Sequence, residues 1–329
     1  MTYRSYRFIT RLLCLLIFSL PINAVAAEAP APTDTTNTRL KPTRLVALNW
    51  TLAETMVGLG YQPLGVGNLR GYQQWVAEPR MPDQVHDLGL RIQPNLELLA
   101  TLNPDAILMP AFYEPMLDRL RPVAPFKVYK LYSTETDLWH RLQAVTRDVA
   151  QRLHDPSAAD QLIHQTDATF KYWRQQLAQA ASEPPPVLIV QFMDARHMRV
   201  FAKHGLYQLV LDQLGLRNVW DIPTNGWGFS MASIDELAQK SLPAETRLII
   251  VDPMPLGVKE RLQHSGLWQL LRPVQQQHVL NIPAVWSFGS LPSVQRFTRL
   301  LGAALVNDLA ATNPPKTAAR PQPDNAISP

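Results

Sequence analysis

Residues 155–186 read DPSAADQLIHQTDATFKYWRQQLAQAASEPPP, and this stretch decides how the rest of the chain is arranged. Asp155 followed by Pro156 is typical of a helix start, because Asp caps the first N–H groups and Pro fits the first turn. Core-facing side chains then recur every three or four residues, at Ala158, Leu162, Thr166, Phe170, Trp173 and Leu177. About 26 helical residues at 1.5 Å each span ~39 Å, the width of a domain. The pattern predicts one long helix that ends before the three prolines at 184–186.

Short apolar strands alternate with helices on both sides of this helix. Before it we expect strands at 44–48, 64–67, 105–109 and 127–132, and helices at 51–59, 95–102 and 137–153. After it we expect strands at 187–192, 247–251 and 279–282, a hairpin-like segment at 194–201, and helices at 206–214, from Ser233 and at 292–309. Such alternation is typical of mostly parallel sheets covered by helices. The predicted fold class is α/β, with two α/β lobes joined by one long backbone helix and a cleft between them.

The predicted domains follow from this arrangement and from the two ends of the chain. An apolar run from Leu12 to Leu20 follows three arginines and precedes small residues near Ala26, which is typical of a secretory signal peptide. Residues near both ends of the remaining chain are rich in Pro, Ala and Thr without apolar periodicity. We therefore expect a signal peptide at 1–27, a disordered linker at 28–42, an N-terminal lobe at 43–135, a helical segment at 136–183, a C-terminal lobe at 184–311 and a disordered tail at 312–329.

Charge and cysteine content exclude several functions. The single cysteine, Cys14, lies inside the signal segment, and Leu13 before it disfavours lipidation, so the exported chain has no thiol for disulfides, metals or nucleophilic catalysis. Removing three arginines and no acid from 31 basic and 27 acidic residues leaves a net charge of +1. A near-neutral chain gives no reason to expect nucleic acid as a partner.

The sequence contains no enzyme motif. G-x-S-x-G, G-x-x-x-x-G-K-[ST], G-x-G-x-x-G after a strand and H-E-x-x-H are all absent. The eight histidines are scattered one at a time, and a transition-metal site needs three or four converging ligands. We expect neither a protein-bound metal nor a resident cofactor, and no catalytic residue.

Aromatic residues beside Gly, Pro or Asn are the sequence's strongest sign of a binding site. Trp139, Trp173 and Trp268 lie at helical or apolar positions, where tryptophan serves the core. Three others follow strands in polar or Gly-flanked turns, namely Trp75, Trp227 and Trp286. Because loops lie at the surface, a tryptophan there needs something to pack against, which indicates an aromatic-lined pocket.

Several segments resemble the periplasmic ferric-hydroxamate (ferrichrome-type) siderophore-binding proteins of ABC importers. The matching segments are Tyr72-Gln-Gln-Trp75-Val-Ala-Glu78-Pro79, Asp87-Leu-Gly-Leu-Arg91, Pro94-Asn-Leu-Glu97-Leu-Leu, Arg196-His-Met198, Ser233-Ile-Asp235 and Pro283-Ala-Val-Trp286. The resemblance runs from about Arg44 to Leu309. It implies two α/β lobes joined by a long helix, the arrangement that periodicity alone predicts above.

The resemblance also implies which residues bind the ligand. It places tryptophans on the pocket wall, with one arginine and one tyrosine hydrogen-bonded to the hydroxamate oxygens, at Trp75, Arg91, Tyr113, Trp220, Trp227 and Trp286. Two positions depart from the family pattern, Arg199 in place of an apolar pocket residue and Phe229 in place of a small hydroxyl residue. If Arg199 faces the cleft, a second cation favours a ligand with a carboxylate. If its strand turns it outward, it is a surface arginine, and the sequence leaves both open.

The implied function is capture of an Fe(III)-hydroxamate siderophore in the periplasm and its delivery to an inner-membrane ABC permease. By similarity, Glu97 and Asp235 are the candidates for pairing with permease arginines, although acids near helix starts such as Ser233–Glu236 are also favourable for capping alone. We expect a monomer. The alternatives are a corrinoid or haem receptor on the same fold and, in another class, a secreted α/β enzyme.

Export and cleavage provide the first test. The Arg-rich start and the small residues at Ala26 and Ala27 predict that signal peptidase removes the first 26 or 27 residues. Intact-mass analysis of protein from the periplasm should give the mass of a chain beginning at Ala27 or Glu28. Periplasmic material that still begins at Met1 would contradict this prediction.

Overall fold

A computed structural model of the chain describes residues 43–133 and 137–312. The predicted signal peptide and linker, and the predicted tail beyond residue 312, lie outside the described residues. In the part of the chain that is described, no helix is long and apolar enough to cross a membrane.

The N-terminal lobe is built on a parallel five-stranded sheet of order β3-β2-β1-β6-β7. A small β4–β5 hairpin follows β3. The strands are β1 (Leu45–Ala47), β2 (Gly65–Val66), β3 (His86–Asp87), β4 (Gly89–Leu90), β5 (Gln93–Pro94), β6 (Ala106–Pro110) and β7 (Phe126–Tyr129). The helices of this lobe are α1 (Trp50–Gly58), α2 (Leu69–Trp75), α3 (Leu96–Thr101), a 3-10 helix (Ala111–Met116) and α4 (Leu117–Leu120).

The C-terminal lobe has a mixed five-stranded sheet of order β10-β9-β8-β11-β12. Strands β8, β11 and β12 are parallel, and β9 is antiparallel to both of its neighbours. The strands are β8 (Val187–Phe192), β9 (His197–Phe201), β10 (Phe229–Ser233), β11 (Arg247–Val251) and β12 (Val279–Ile282). The remaining helices are α5 (Leu138–Arg152), α6 (Pro156–Ala180), α7 (Leu206–Leu214), α8 (Ile234–Gln239), α9 (Val258–Gln263), α10 (Gly266–Leu270), α11 (Arg272–Gln275) and α12 (Leu291–Thr312).

Helix α6 is the predicted long helix, and it packs along α12. Asp155 caps its start through a hydrogen bond from the Ala158 N–H, so the predicted start is confirmed. A Cβ at position 302 of α12 would lie 2.5 Å from the Trp173 ring, so Gly302 lets the two helices approach closely. Both helices contribute to one apolar core that also contains Leu45 of the N-terminal sheet and Ile189 of the C-terminal sheet. This shared core packs against one face of each sheet, and a separate outer core covers the other face of each sheet.

Most predicted elements are confirmed, and the differences have local causes. The Ser233–Glu236 capping box forms as expected. Strand β10 was not predicted, because the residues before it read as a turn. Thr51 and Glu54 have the spacing of a capping box, which predicts one at the start of α1, but no such box forms. Asn49, two residues earlier, caps α1 by accepting the Thr51 N–H at 2.9 Å, which leaves Glu54 too far along the helix to close a box.

Glu54 instead joins the first helix of the N-terminal lobe to the start of α12. Its carboxylate accepts the Ser290 N–H, and the Ser293 hydroxyl lies 2.6 Å from its Oε2 atom. The side chain is fully buried, and it interacts electrostatically with Tyr72 and Tyr132. Burial raises the pKa of Glu54 to about 8, although the two serine contacts oppose this shift.

This shift predicts how stability depends on pH. The carboxyl group stays protonated in the folded protein up to pH about 8, whereas in the unfolded chain it ionises above pH 4.5. Folding therefore takes up a proton between these values, and the free energy of unfolding should fall by up to about 1.4 kcal/mol per pH unit as pH rises through the window. Urea unfolding at pH 5, 6, 7 and 8 measures the slope.

Glu54→Gln should flatten this slope, because the amide cannot ionise, and should leave the protein more stable than the unmodified chain at pH 8. Glu97→Gln removes an exposed carboxylate and serves as the control. Equal slopes for the unmodified chain and Glu54→Gln would show that Glu54 does not titrate in this window.

Candidate ligand-binding site

A cavity of ≈ 860 Å³ lies between the two lobes, with walls from both. Nine of its twenty lining residues are aromatic. The rings are Trp50, Trp75, Phe112, Tyr129, Tyr132, Trp227, Phe229, Trp286 and Phe288. The volume is that of a site for a small molecule rather than for a peptide or nucleic acid.

The aromatic rings contact one another across the cleft. The ring centroid of Trp286 lies 4.8 Å from that of Trp50 and 5.1 Å from that of Phe288, and both pairs have edge-to-face geometry. The ring centroid of Trp227, in the C-terminal lobe, lies 5.9 Å from that of Phe112 and 5.9 Å from that of Tyr132, and these two rings lie on the other side of the cleft. The wall is therefore a connected set of rings rather than separate hydrophobic residues.

Arg91 lies in the tight turn of the β4–β5 hairpin, and the Asp87-to-Arg91 segment holds it there. The Asp87 carboxylate accepts the N–H groups of Asn68, Leu69 and Gly89, at 3.1, 3.2 and 2.9 Å. Gly89 has a φ of +77°, which favours glycine. A Cβ at position 67 would lie 2.9 Å from the Arg91 Cα. Only a glycine at this position therefore allows the hairpin to pack this closely against the end of β2.

The Arg91 guanidinium is half-buried on aromatic faces. Its Cζ atom lies 3.8 Å from the Trp50 ring centroid and 5.4 Å from that of Trp286. Burial lowers the pKa of Arg91, while the neighbouring Tyr113 opposes that shift. Among the described residues no carboxylate forms an ion pair with Arg91, and its N–H groups form no hydrogen bond. A planar group with unused donors at the cavity wall is suited to bind oxygen acceptors of a ligand.

A short loop places Trp227 at the mouth of the cavity. The Asn225 side chain accepts the Trp227 N–H at 2.9 Å and the Phe229 N–H at 3.4 Å, which closes the turn. Gly228 has a φ of +80°, and a Cβ there would lie 2.2 Å from the Gly205 Cα. The loop conformation therefore requires glycine, and it leaves Trp227 39% exposed.

Arg199 and Phe229 face the cavity, which answers the question that the sequence left open. The Arg199 Cζ atom lies 5.0 Å from the Phe229 ring and 5.7 Å from the Phe288 ring. Met198 and Val200, its neighbours on β9, point to the opposite face and are buried in the outer core of the lobe. Strand alternation thus directs Arg199 inward.

Two predicted ligand-binding residues do not lie on the cavity wall. Trp220 packs in the outer core of the C-terminal lobe, where its Nε1 donates to Ser230 Oγ at 2.7 Å. Tyr113 is buried behind Phe112, and its hydroxyl donates to the Leu48 carbonyl at 3.1 Å. Burial raises the pKa of Tyr113, and its closest charged neighbour is Arg91. Trp75, Arg91, Arg199, Trp227 and Trp286 do line the cavity.

Sequence reasoning missed Trp50 and Tyr132 as parts of the site. Trp50 is the first residue of α1, directly after β1, and its Nε1 donates to the Gly67 carbonyl at 2.8 Å. Tyr132 donates its hydroxyl to the Gly289 carbonyl at 2.7 Å. Both follow the carboxyl ends of parallel strands, the edge where α/β sheets bind ligands. That rule was the signal that could have identified them.

The two candidate docking residues lie on different lobes. Glu97 is in the first turn of α3 and Asp235 is in the first turn of α8, and both side chains are exposed. Within residues 43–133 and 137–312, no three His, Cys, Asp or Glu side chains gather in a group that could hold a metal ion.

Two α/β lobes around a cavity lined with aromatic rings are the architecture of a protein that binds a small ligand. Comparison with known proteins shows to which family of binding proteins the chain belongs. The chain belongs to the periplasmic binding protein family, whose sequence model matches residues 45–285. It is 32% identical over 266 residues to the iron(3+)-hydroxamate-binding protein FhuD of Escherichia coli (strain K12), covering 81% of this chain and 88% of that protein. It is 24% identical over 277 residues to the Fe(3+) dicitrate-binding periplasmic protein FecB of the same organism, covering 82% and 85%.

The fold agrees with that of a solved relative. The siderophore-binding protein FhuD from Vibrio cholerae, in its complex with Fe3+–Desferal, matches this chain with a TM-score of 0.76 and 28% sequence identity. The match covers 81% of this chain and 98% of that structure. The predicted two-lobed α/β class and the predicted absence of enzymatic activity are both confirmed by membership of this family of binding proteins.

Proposed function

We propose that this protein binds a ferric hydroxamate siderophore in the cavity between its lobes and delivers it to an ABC permease of the inner membrane. The observation that carries the proposal is the half-buried Arg91 guanidinium, held 3.8 Å above Trp50 with its donors unused in a cavity of ≈ 860 Å³. The similarity to a hydroxamate-binding protein over most of both chains supports the same ligand class.

The chemistry of such a ligand fits the wall of the cavity. A trihydroxamate supplies six oxygens, which complete an octahedron around Fe(III), so the iron is cargo and needs no ligand from the protein. The protein then recognises the outside of a compact complex with an oxygen-rich face and an apolar body. Indole faces pack against the apolar part, and the guanidinium donates to hydroxamate oxygens.

We further propose that Glu97 and Asp235 pair with basic residues of the permease. Both side chains are exposed, and they lie on separate lobes. This supports the role, because a permease that contacts both lobes can pair with one acidic residue on each. The proposal includes export and action in the periplasm, in keeping with a family of periplasmic binding proteins. It also includes a monomeric protein.

Replacement of Arg91 tests the binding proposal. Arg91→Ala removes the charged donor and should weaken binding of a ferric trihydroxamate by about 1.5–3 kcal/mol, the range for hydrogen bonds that involve a charged group. Thermal stability should change little, because Arg91 forms no ion pair or hydrogen bond with the described residues. Quenching of tryptophan fluorescence by the ferric complex gives the dissociation constant.

The matched control is Arg80→Ala, which removes an arginine whose side chain is 84% exposed, outside the cavity lining. It should leave the dissociation constant unchanged. An Arg91→Ala protein that binds as tightly as the unmodified chain would refute the assigned role of Arg91. If ferric trihydroxamates fail to bind the unmodified protein at all, the proposed function is wrong.

A further inference from the structure

The charged side chains that line the cavity are all positive. The charged residues in its lining are Arg91, Lys130 and Arg199, and among the described residues that line it there is no Asp or Glu. Arg91 comes from the N-terminal lobe and Arg199 from β9 of the C-terminal lobe, so positive charge faces the cavity from both sides. The hydroxyls of Tyr129 and Tyr132 are already donated to Asp148 and the Gly289 carbonyl.

Arg199 has no acidic partner among the described residues. Its contact within hydrogen-bond range is the neutral amide of Gln191, whose Oε1 lies 3.5 Å from Nη1, at the long limit for a hydrogen bond. Phe229 and Phe288 flank the guanidinium, and burial lowers the pKa of Arg199. In the described part of the chain no carboxylate lies within ion-pair distance of it.

Other buried arginines of this protein are neutralised. Arg247 donates to the Asp308 carboxylate at 2.7 Å, and Arg296 lies 2.6 Å from the Glu78 carboxylate. Both follow the rule that a charge removed from water is paired. The cavity arginines depart from that rule, and a lone half-buried cation is unfavourable until an anion reaches it.

Trp286, which belongs to the cavity lining, is itself almost fully buried. The Trp286 side chain is 8% exposed, and its indole N–H has no hydrogen-bond partner among the described residues. The Trp286 ring centroid lies 5.4 Å from Arg91 Cζ and 5.1 Å from the Phe288 ring centroid, and Arg199 Cζ lies 5.7 Å from the same Phe288 ring. The two guanidinium groups of the lining are hydrogen-bond donors, and they suit a ligand rich in acceptors.

We propose that Arg199 is a specificity residue that binds a carboxylate on the siderophore, and that the preferred cargo is a ferric hydroxamate with net negative charge. The inference rests on the proposed function. Arg91 suffices for the hydroxamate oxygens, whereas the second guanidinium on the facing lobe requires a further anionic group. A planar guanidinium binds a carboxylate through two parallel hydrogen bonds. A ligand with an ammonium tail meets repulsion at the same position.

A charge series on one chelator tests the inference. The iron(III) complex of desferrioxamine B is prepared with its terminal amine free, acetylated or succinylated, which gives a positive, a neutral and a negative complex with the same iron coordination. The unmodified protein should bind the succinylated complex most tightly and the amine complex most weakly at pH 7. Tryptophan quenching or titration calorimetry gives the three dissociation constants.

Arg199→Met keeps much of the side-chain volume and removes the charge. It should reduce the preference for the succinylated over the acetylated complex by about tenfold to a hundredfold, the range for a charged hydrogen bond. Its melting temperature should stay the same or rise, because an unpaired half-buried cation is removed. Arg91→Met should weaken all three complexes alike. Arg196→Met, an exposed arginine on the same segment, is the control and should change none of them.

The outcomes separate this inference from the function on which it rests. If the unmodified protein binds all three complexes equally, or if Arg199→Met weakens all three by the same factor, the carboxylate role of Arg199 is wrong while siderophore binding stands. If the unmodified protein binds none of the three, the proposed function fails, and the inference fails with it.

Discussion

The close packing of α6 against α12 is the constraint on which the rest of the structure depends. Both helices contribute to the apolar core that contains strands of both sheets, so neither lobe can turn without disturbing that core. Gly58 of α1 adds a third contact, because a Cβ there would lie 2.7 Å from Pro292 of α12 and 3.2 Å from Leu162 of α6. Helix packing therefore constrains the spacing of the two lobes and, with it, the width of the cavity.

Polar contacts reinforce this geometry at the boundary between the lobes. Glu54 holds the start of α12 through Ser290 and Ser293, and Thr51 donates to the Phe288 carbonyl at 2.6 Å. Glu78, beyond α2, pairs with Arg296 and Arg299 of α12. These contacts fix the backbone of the segment that carries Trp286 and Phe288. Residues that support the fold thus determine where two rings of the cavity lie.

The sequence predicted the fold well because the elements that define it have simple periodicities. The long helix, β8, α7 and β11 are all found where the apolar pattern placed them. Trp75, Trp227 and Trp286 were identified because their flanking residues are unusual for core tryptophans. Trp220 was assigned to the pocket through the family resemblance, and the three-dimensional structure shows instead that its indole N–H donates to Ser230 Oγ away from the cavity lining.

The sequence could not show which way the Arg199 side chain points, for a different reason. Alternation along β9 puts Met198 and Val200 on one face and Arg199 on the other, but the local pattern does not show that this second face borders a cavity rather than solvent. Trp50 was missed because its position at the start of a helix looks structural until the Arg91 hairpin is placed over it. Contacts between distant segments cannot be read from local patterns.

The aromatic wall explains how the protein tolerates positive charge without an internal partner. Aromatic faces attract guanidinium groups electrostatically, by more where water is excluded, and they do so without occupying the N–H donors. A carboxylate beside each arginine would stabilise the empty protein more strongly, but it would also consume those donors and repel an anionic ligand. Rings therefore hold Arg91 and Arg199 in place while leaving their hydrogen-bonding capacity to the cargo. The same rings supply the apolar surface against which the body of the ligand packs, so one set of residues meets both requirements.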